Sequence, residues 1–201
     1  MKKSEKTEHT VARIIEAATN EFGKLGYAGG TINRICQAGI NKGLIYHNFS
    51  GKDALYLSCL SRSCGMLMQF VQERDGTRNL ECYMAARMEF FREHPNEAHI
   101  FFEAMLNPPP HLSGEVSRAL ADFNALNERM YGETLDALEL RDGISREDAF
   151  AYFHMMQLML NGYFSSPALQ SAAFEERVEK HENIVPRLLD CMLYGIAREE
   201  R

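Results

Sequence analysis

Between Thr31 and Asp53 the chain reads TINRICQAGINKGLIYHNFSGKD, and few folds accommodate that punctuation. Ile32, Ile35 and Cys36 recur at helical spacing behind Thr31, whose hydroxyl is suited to cap the free N–H groups of an opening turn. Gly39 then supplies the positive-φ residue on which helices commonly end. Ile40 is expected as a buried plug, and Asn41 as the N-cap of a short helix from Lys42 to His47 whose outer side carries Lys42, Tyr46 and His47. Ser50 and Asp53 read as a Ser-x-x-Asp capping box that opens a third helix with Lys52 in its first turn. Helix, glycine turn and short helix predict a helix-turn-helix, a unit that can lay its second helix in the major groove of DNA.

The set Gly26-Tyr27, Thr31-Ile32, Ile35, Ala38-Gly39-Ile40, Lys42-Gly43, Tyr46-His47, Phe49 and Lys52 resembles the DNA-binding domain of the tetracycline-repressor-like (TetR) transcriptional regulators, over roughly residues 8 to 56. The resemblance implies a helix-turn-helix DNA-binding domain over residues 1–52 and a helical effector-binding and dimerisation domain over 53–201. It also implies DNA contacts from Thr31, Asn41, Lys42, Gly43, Leu44, Tyr46, His47 and Lys52. Leu44 stands where that family commonly has a small or hydroxyl residue, and Asn48 where an aromatic is frequent. Both departures bear on base preference and not on the fold.

A net charge of −6 argues at first against a nucleic-acid partner, but its distribution reverses the argument. Residues 1–55 hold eight Lys/Arg against five Asp/Glu, a net of +3, and the remainder fourteen against twenty-three, a net of −9. A basic module is therefore joined to an acidic body. The five cysteines, Cys36, Cys59, Cys64, Cys82 and Cys191, form no C-x-x-C pair, which suits reduced thiols. No apolar stretch follows Met1-Lys2-Lys3 and no apolar run approaches the ~20 residues a bilayer needs, so a cytoplasmic protein with no membrane partner is expected.

The opening MKKSEK is charged and unpatterned, and Lys2, Lys3 and Lys6 read as a frayed, solvated tail. Val11, Ile14, Ile15, Ala18, Phe22 and Leu25 then make an amphipathic helix that stops near Gly26 and braces the helix-turn-helix. The helix opened at Ser50 continues until Asp75-Gly76, about 35 Å, long enough to serve both halves of the chain. Further helices are expected over about 79–93, 95–106, 114–140, 146–164 and 174–197, with Pro95 in a first turn and Ser145/Asp148 as a second capping box. The fold is expected to be all-α. Residues 149–164 are apolar almost all round, so that helix needs cover on more than one side. The last helix, with Val178, Val185, Leu188, Met192 and Ile196, is its expected partner, bent near Val185 by Pro186. The resemblance implies that these last two helices form a homodimer.

An effector cavity is implied by the resemblance, and Tyr83, Met84, Phe90, Phe91, Phe101, Phe102, Met105, Phe150, Phe153, Met156 and Met159 are its candidate lining. Individually most of them fit an ordinary core. His154, Gln157 and Asn161 recur at i, i+3, i+7 as one polar stripe, which needs a ligand, a dimer mate or water as partner. Phe101, Phe102, Met105, Phe150, Phe153, His154, Gln157 and Asn161 are accordingly the candidate effector residues. No H-E-x-x-H or Glu-x-x-His pattern occurs, and His94 and His99 fall on different helix faces, so no metal, cofactor or catalytic constellation is expected. Cys59 and Cys64 point about 140° apart on one helix and cannot bridge within it. Thiol sensing by Cys36, Cys82 or Cys191 remains a lesser alternative to simple burial. The expected function is a ligand-responsive transcriptional regulator, a repressor released from palindromic operator DNA by a small, largely apolar effector. The alternatives are an all-α enzyme, marked by turnover without DNA binding, and an architectural helix-turn-helix protein with no effector, marked by the lack of ligand-dependent stabilisation.

Overall fold

A computed structural model of the protein describes residues 3–166, 168–169 and 173–196. The expectations for Lys2 and Ala197, and for the side chains of Lys3, Lys6 and Ile196, lie outside the described residues. Among the described residues ten α-helices follow in order: α1 (Lys3–Gly29), α2 (Ile32–Cys36), α3 (Lys42–Asn48), α4 (Lys52–Glu73), α5 (Leu80–Glu93), α6 (Pro95–Leu106), α7 (Ser113–Ala119), α8 (Ala121–Asp136), α9 (Arg146–Phe164) and α10 (Phe174–Ile196). Among the described residues there is no β-strand.

Most boundaries follow local chemistry. Pro95 opens α6, where its missing N–H costs nothing. Ser145 and Asp148 form the complete reciprocal box that opens α9. Asp75, at φ 54°, turns the chain out of α4. Elsewhere the expectations need correction. The opening segment is helical from Lys3. α4 begins at Lys52, and the Asp53 carboxylate expected in a box with Ser50 accepts instead from the Tyr27 hydroxyl. The single helix expected over 114–140 is two, divided at Leu120 (φ −89°, ψ −2°), with no glycine or proline to announce it. α10 carries Pro186 inside its span, at the place where the sequence predicts a bend.

The chain forms two compact units, and neither is contiguous in sequence. The first comprises Met1–Met66 and Phe91–Leu120, the second Leu67–Phe90 and Ala121–Arg201. α4 thus gives its first residues to one unit and its last turns to the other. In the first unit Ile14, Ala18 and Phe22 of α1 and Leu55, Tyr56 and Cys59 of α4 are buried, with the Phe22 and Tyr56 rings edge to face at 5.4 Å. α1 also packs along α6. In the second unit Tyr131 stacks on Phe153 with ring centroids 4.2 Å apart, and Phe164 closes against His181.

Candidate nucleic-acid interface

The helix-turn-helix is assembled from short-range caps. Thr31 Oγ1 accepts from the Arg34 N–H at 3.2 Å and Asn41 Oδ1 from the Gly43 N–H at 2.7 Å, so each helix has one of its orphan donors satisfied. Gly39, at φ 79°, makes the turn between them in a conformation that any side chain would strain. Glu21 of α1 accepts from the Thr31 N–H at 3.2 Å and lies 3.4 Å from Arg34 Nε, which fastens α2 to α1. Ile35, Ile40 and Ile45 turn inward.

With Ile45 alone buried on α3, that helix exposes Lys42, Gly43, Leu44, Tyr46 and His47 together. Lys42 Nζ donates to Asn33 Oδ1 of α2 at 3.0 Å, so a cation and an amide stand side by side across the two helices. Tyr46 is 53% exposed and Leu44 45%, large side chains with no intramolecular reason to be there. Thr31 and Asn41 are exposed as well, each at the opening turn it caps. Lys52 differs from the rest: it is half-buried, with its ammonium 4.3 Å from the centre of the Tyr27 ring.

Tyr27 is the hub beneath this surface. Gly26, at φ 67°, breaks the helical course of α1, and the next N–H, that of Tyr27, donates to both Glu103 oxygens of α6 at 2.9 Å. Tyr56 adds a third bond to the same carboxylate at 3.1 Å. Burial pushes the Glu103 carboxyl up despite these donors, and burial together with Glu103 raises the Tyr56 phenol. The Tyr27 hydroxyl donates to Asp53 Oδ1 at 2.5 Å and lies 3.1 Å from His111 Nε2, which is 3.3 Å from Asp53 Oδ2. Desolvation, then the bond to Asp53 and its charge, push the Tyr27 phenol up to about 12. None of these long-range partners announces itself in the sequence, since Glu103 and His111 are ordinary surface-type residues in their local patterns.

The candidate effector residues divide between the units. Phe101, Phe102 and Met105 belong to the first, where Phe101 and Phe102 are core, packed on Phe91 at 5.2 and 4.8 Å. Phe150, Phe153, His154, Gln157 and Asn161 belong to the second. Phe150 lies edge-on to Tyr131, with the Arg146 guanidinium 4.9 Å from its ring centre. The expected polar stripe is not a buried row. His154 is exposed and 3.9 Å from Glu128, Gln157 is half-buried, and only Asn161 reaches inward, 3.4 Å from His181 Nε2. What α9 exposes is apolar instead: Tyr152, Met155, Leu158, Met159 and Tyr163, with Leu158 at 73%.

Sequence reasoning missed the charges inside the second unit. Arg87 Nη2 and Glu182 Oε1 meet at 3.0 Å with both residues buried, His181 Nδ1 lies 3.1 Å from the same oxygen, and Arg87 Nη1 reaches Asn127 Oδ1 at 3.4 Å. Tyr83 donates to that Asn127 oxygen at 2.5 Å. Burial alone would raise the Glu182 carboxyl, but the Arg87 charge and His181 hold it below the ordinary glutamate value. The available signal was the break in apolar periodicity at Arg87 on α5, which reads equally well as a solvated residue. Among the described residues no cluster of His, Cys, Asp or Glu is arranged to hold a metal, and no helix is long and apolar enough to cross a membrane.

The fold and the exposed α3 define a helix-turn-helix DNA-binding domain joined to a helical body. Residues 14–59 match the sequence model of the bacterial regulatory proteins of the tetR family. An uncharacterised HTH-type transcriptional regulator, YerO of Bacillus subtilis, is 25% identical over 202 residues, covering 92% of this chain and 65% of that protein. The HTH-type transcriptional repressor SCO4008 of Streptomyces coelicolor is 33% identical over 96 residues, 47% of this chain and 49% of that protein. These matches therefore take in between about half and two thirds of the relatives' own lengths. Among solved structures, the transcriptional regulator FadR of Bacillus subtilis, in complex with stearoyl-CoA, superposes with a TM-score of 0.65 at 16% identity, over 92% of this chain and 98% of that one. Over residues 14–59 the chain is thus similar to the DNA-binding domain of the tetR family of bacterial regulatory proteins.

Proposed function

We propose that the protein is a cytoplasmic, ligand-responsive transcriptional regulator, a repressor that binds palindromic duplex DNA as a homodimer and leaves it when a small, largely apolar effector binds the helical body, with no catalytic step. The observation that carries the reading is the single exposed face of α3, where Lys42, Leu44, Tyr46 and His47 stand beside Asn33 and the cap residues Thr31 and Asn41. Its chemistry suits a major groove. Lys42 and the capping N–H groups serve phosphates, Tyr46 and His47 hydrogen-bond, and Leu44 offers an apolar contact to a thymine methyl. Dimerisation is supported by the bare apolar face of α9, together with Tyr194 of α10 at 71% exposure, more apolar surface than a monomer commonly leaves open. A ligand in the body is supported by the related fold of FadR, which holds stearoyl-CoA.

The test is selection of random duplex DNA on the purified protein. Enrichment of an inverted repeat, bound by the wild type and lost with the Tyr46→Ala variant, is the expected result. A protein that enriches no sequence, or whose affinity ignores changes on α3, overturns the reading.

A further inference from the structure

In the second unit α5, the end of α8 and the last turns of α10 enclose an open-sided cavity of about 550 Å³, within the range of small-molecule sites. Its walls are Met84 and Met88 of α5, Leu138 beyond α8, and Pro186, Leu189 and Tyr194 of α10. No residue singled out for a ligand in the sequence lies here except Met84. The cavity is distinguished by the sign of its few polar groups. Glu81 stands on the α5 wall and Asp190 on the α10 wall, and among the described residues the lining contains no Lys, Arg or His. Arg78, a turn before Glu81, is turned to Cys82 at 2.9 Å and Asp75 at 3.9 Å. Thr134, also in the lining, donates its hydroxyl hydrogen to the Met130 carbonyl at 2.9 Å, which leaves its oxygen as an acceptor.

An anionic ligand entering this space would meet two carboxylates and no counter-charge. A neutral one would leave the attraction of these two exposed carboxylates unused. A bulky organic cation matches every feature: its apolar groups cover Met84, Met88 and Leu189, its charge lies between Glu81 and Asp190, and the Tyr194 ring supplies a π face. The residues after position 55 carry a net charge of −9, which favours the approach of such a ligand. We infer that the α5–α8–α10 cavity is a binding site for a bulky, hydrophobic organic cation, and that this is the chemical class of the effector. The second half of that statement rests on the ligand-responsive reading given above.

Tetraphenylphosphonium and tetraphenylborate test the inference, because they share shape and apolar surface and differ in the sign of their charge. Calorimetric titration of the full-length protein is expected to give phosphonium binding at least about tenfold tighter than borate binding. In the Glu81→Gln/Asp190→Asn double variant, phosphonium affinity is expected to fall at least about fivefold and the preference to narrow. Raising the salt concentration with the wild type provides the same reading should that variant fail to fold: phosphonium affinity falls and borate affinity does not. Ala85→Trp, which fills the cavity from α5, is expected to block the cation. Equal or tighter borate binding, or phosphonium binding that survives both the charge removal and the filling, overturns the site. With the selected duplex present, saturating phosphonium is expected to release it. Binding without release overturns the effector assignment and leaves the site standing. If no duplex is bound in the first place, the DNA-binding reading fails while the titrations still decide the cavity.

Discussion

The backbone N–H of Tyr27 donates to both carboxylate oxygens of Glu103 at 2.9 Å, across 76 residues of sequence. It does so because Gly26 adopts φ 67° immediately before it, releasing that N–H from the helical ladder of α1. The same carboxylate takes the Tyr56 hydroxyl, so one side chain of α6 holds the end of α1 and the start of α4 together.

Replacing Glu103 with Gln turns an amide N–H toward these donors and is expected to cost about 1–3 kcal/mol in urea unfolding. The pH dependence has a definite sign. Because burial raises the folded-state pKa of Glu103, the folded chain holds its proton more tightly than the unfolded chain. Its contribution is fully present below the ordinary glutamate value and is lost as pH rises through the raised one. The stability margin of wild type over Glu103→Gln is thus expected to shrink on going from pH 4 to pH 7. A margin that widens instead would reverse the assignment.

Arg87→Met strands the buried Glu182 carboxylate with only His181 beside it, and is expected to cost about 3–5 kcal/mol. Adding Glu182→Leu is expected to restore most of that loss, since two apolar groups remove the desolvation cost of both charges. The wild-type pair, with the Glu182 pKa held below its ordinary value of 4.5, contributes stability above that value and loses it as pH falls through the lowered one. Arg87→Met is expected to flatten this acid limb, and an unchanged limb would mean that another carboxylate governs it.

Leu158, 73% exposed at the middle of the α9 face, is expected to be covered by a second copy of the chain. Leu158→Arg leaves the monomer core alone but places a charge in that contact, and sedimentation is expected to show folded monomers with weak affinity for the selected duplex. Intact dimers would move the interface off α9.

Lys42→Ala and Lys52→Ala are expected to differ. Lys42 is exposed on α3, and its loss is expected to weaken all duplexes alike, reducing the salt slope by about one unit with stability nearly unchanged. Lys52 sits over the Tyr27 ring, so its loss is also expected to destabilise the fold by about 0.5–1 kcal/mol. Titrations at several salt concentrations, paired with thermal melts, separate the two contributions.

The sequence by itself determined what neighbouring residues can settle. Thr31, Gly39 and Asn41 cap and turn the helix-turn-helix, Pro95 opens α6, and Ser145 with Asp148 opens α9, because each acts on backbone groups within a turn of itself. The exposure of Lys42, Tyr46 and His47 followed from the same local periodicity. Only tertiary structure decided the pairings between distant residues. Ser50 and Asp53 satisfied the capping pattern, yet the Tyr27 hydroxyl, 26 residues away, holds the carboxylate. Arg87 meets Glu182 across 95 residues. The acidic, apolar cavity exists because α5 and α10 bring Glu81 and Asp190 into one lining. A helix sequence specifies which residues share a face, whereas the charge that meets that face depends on the helix packed against it.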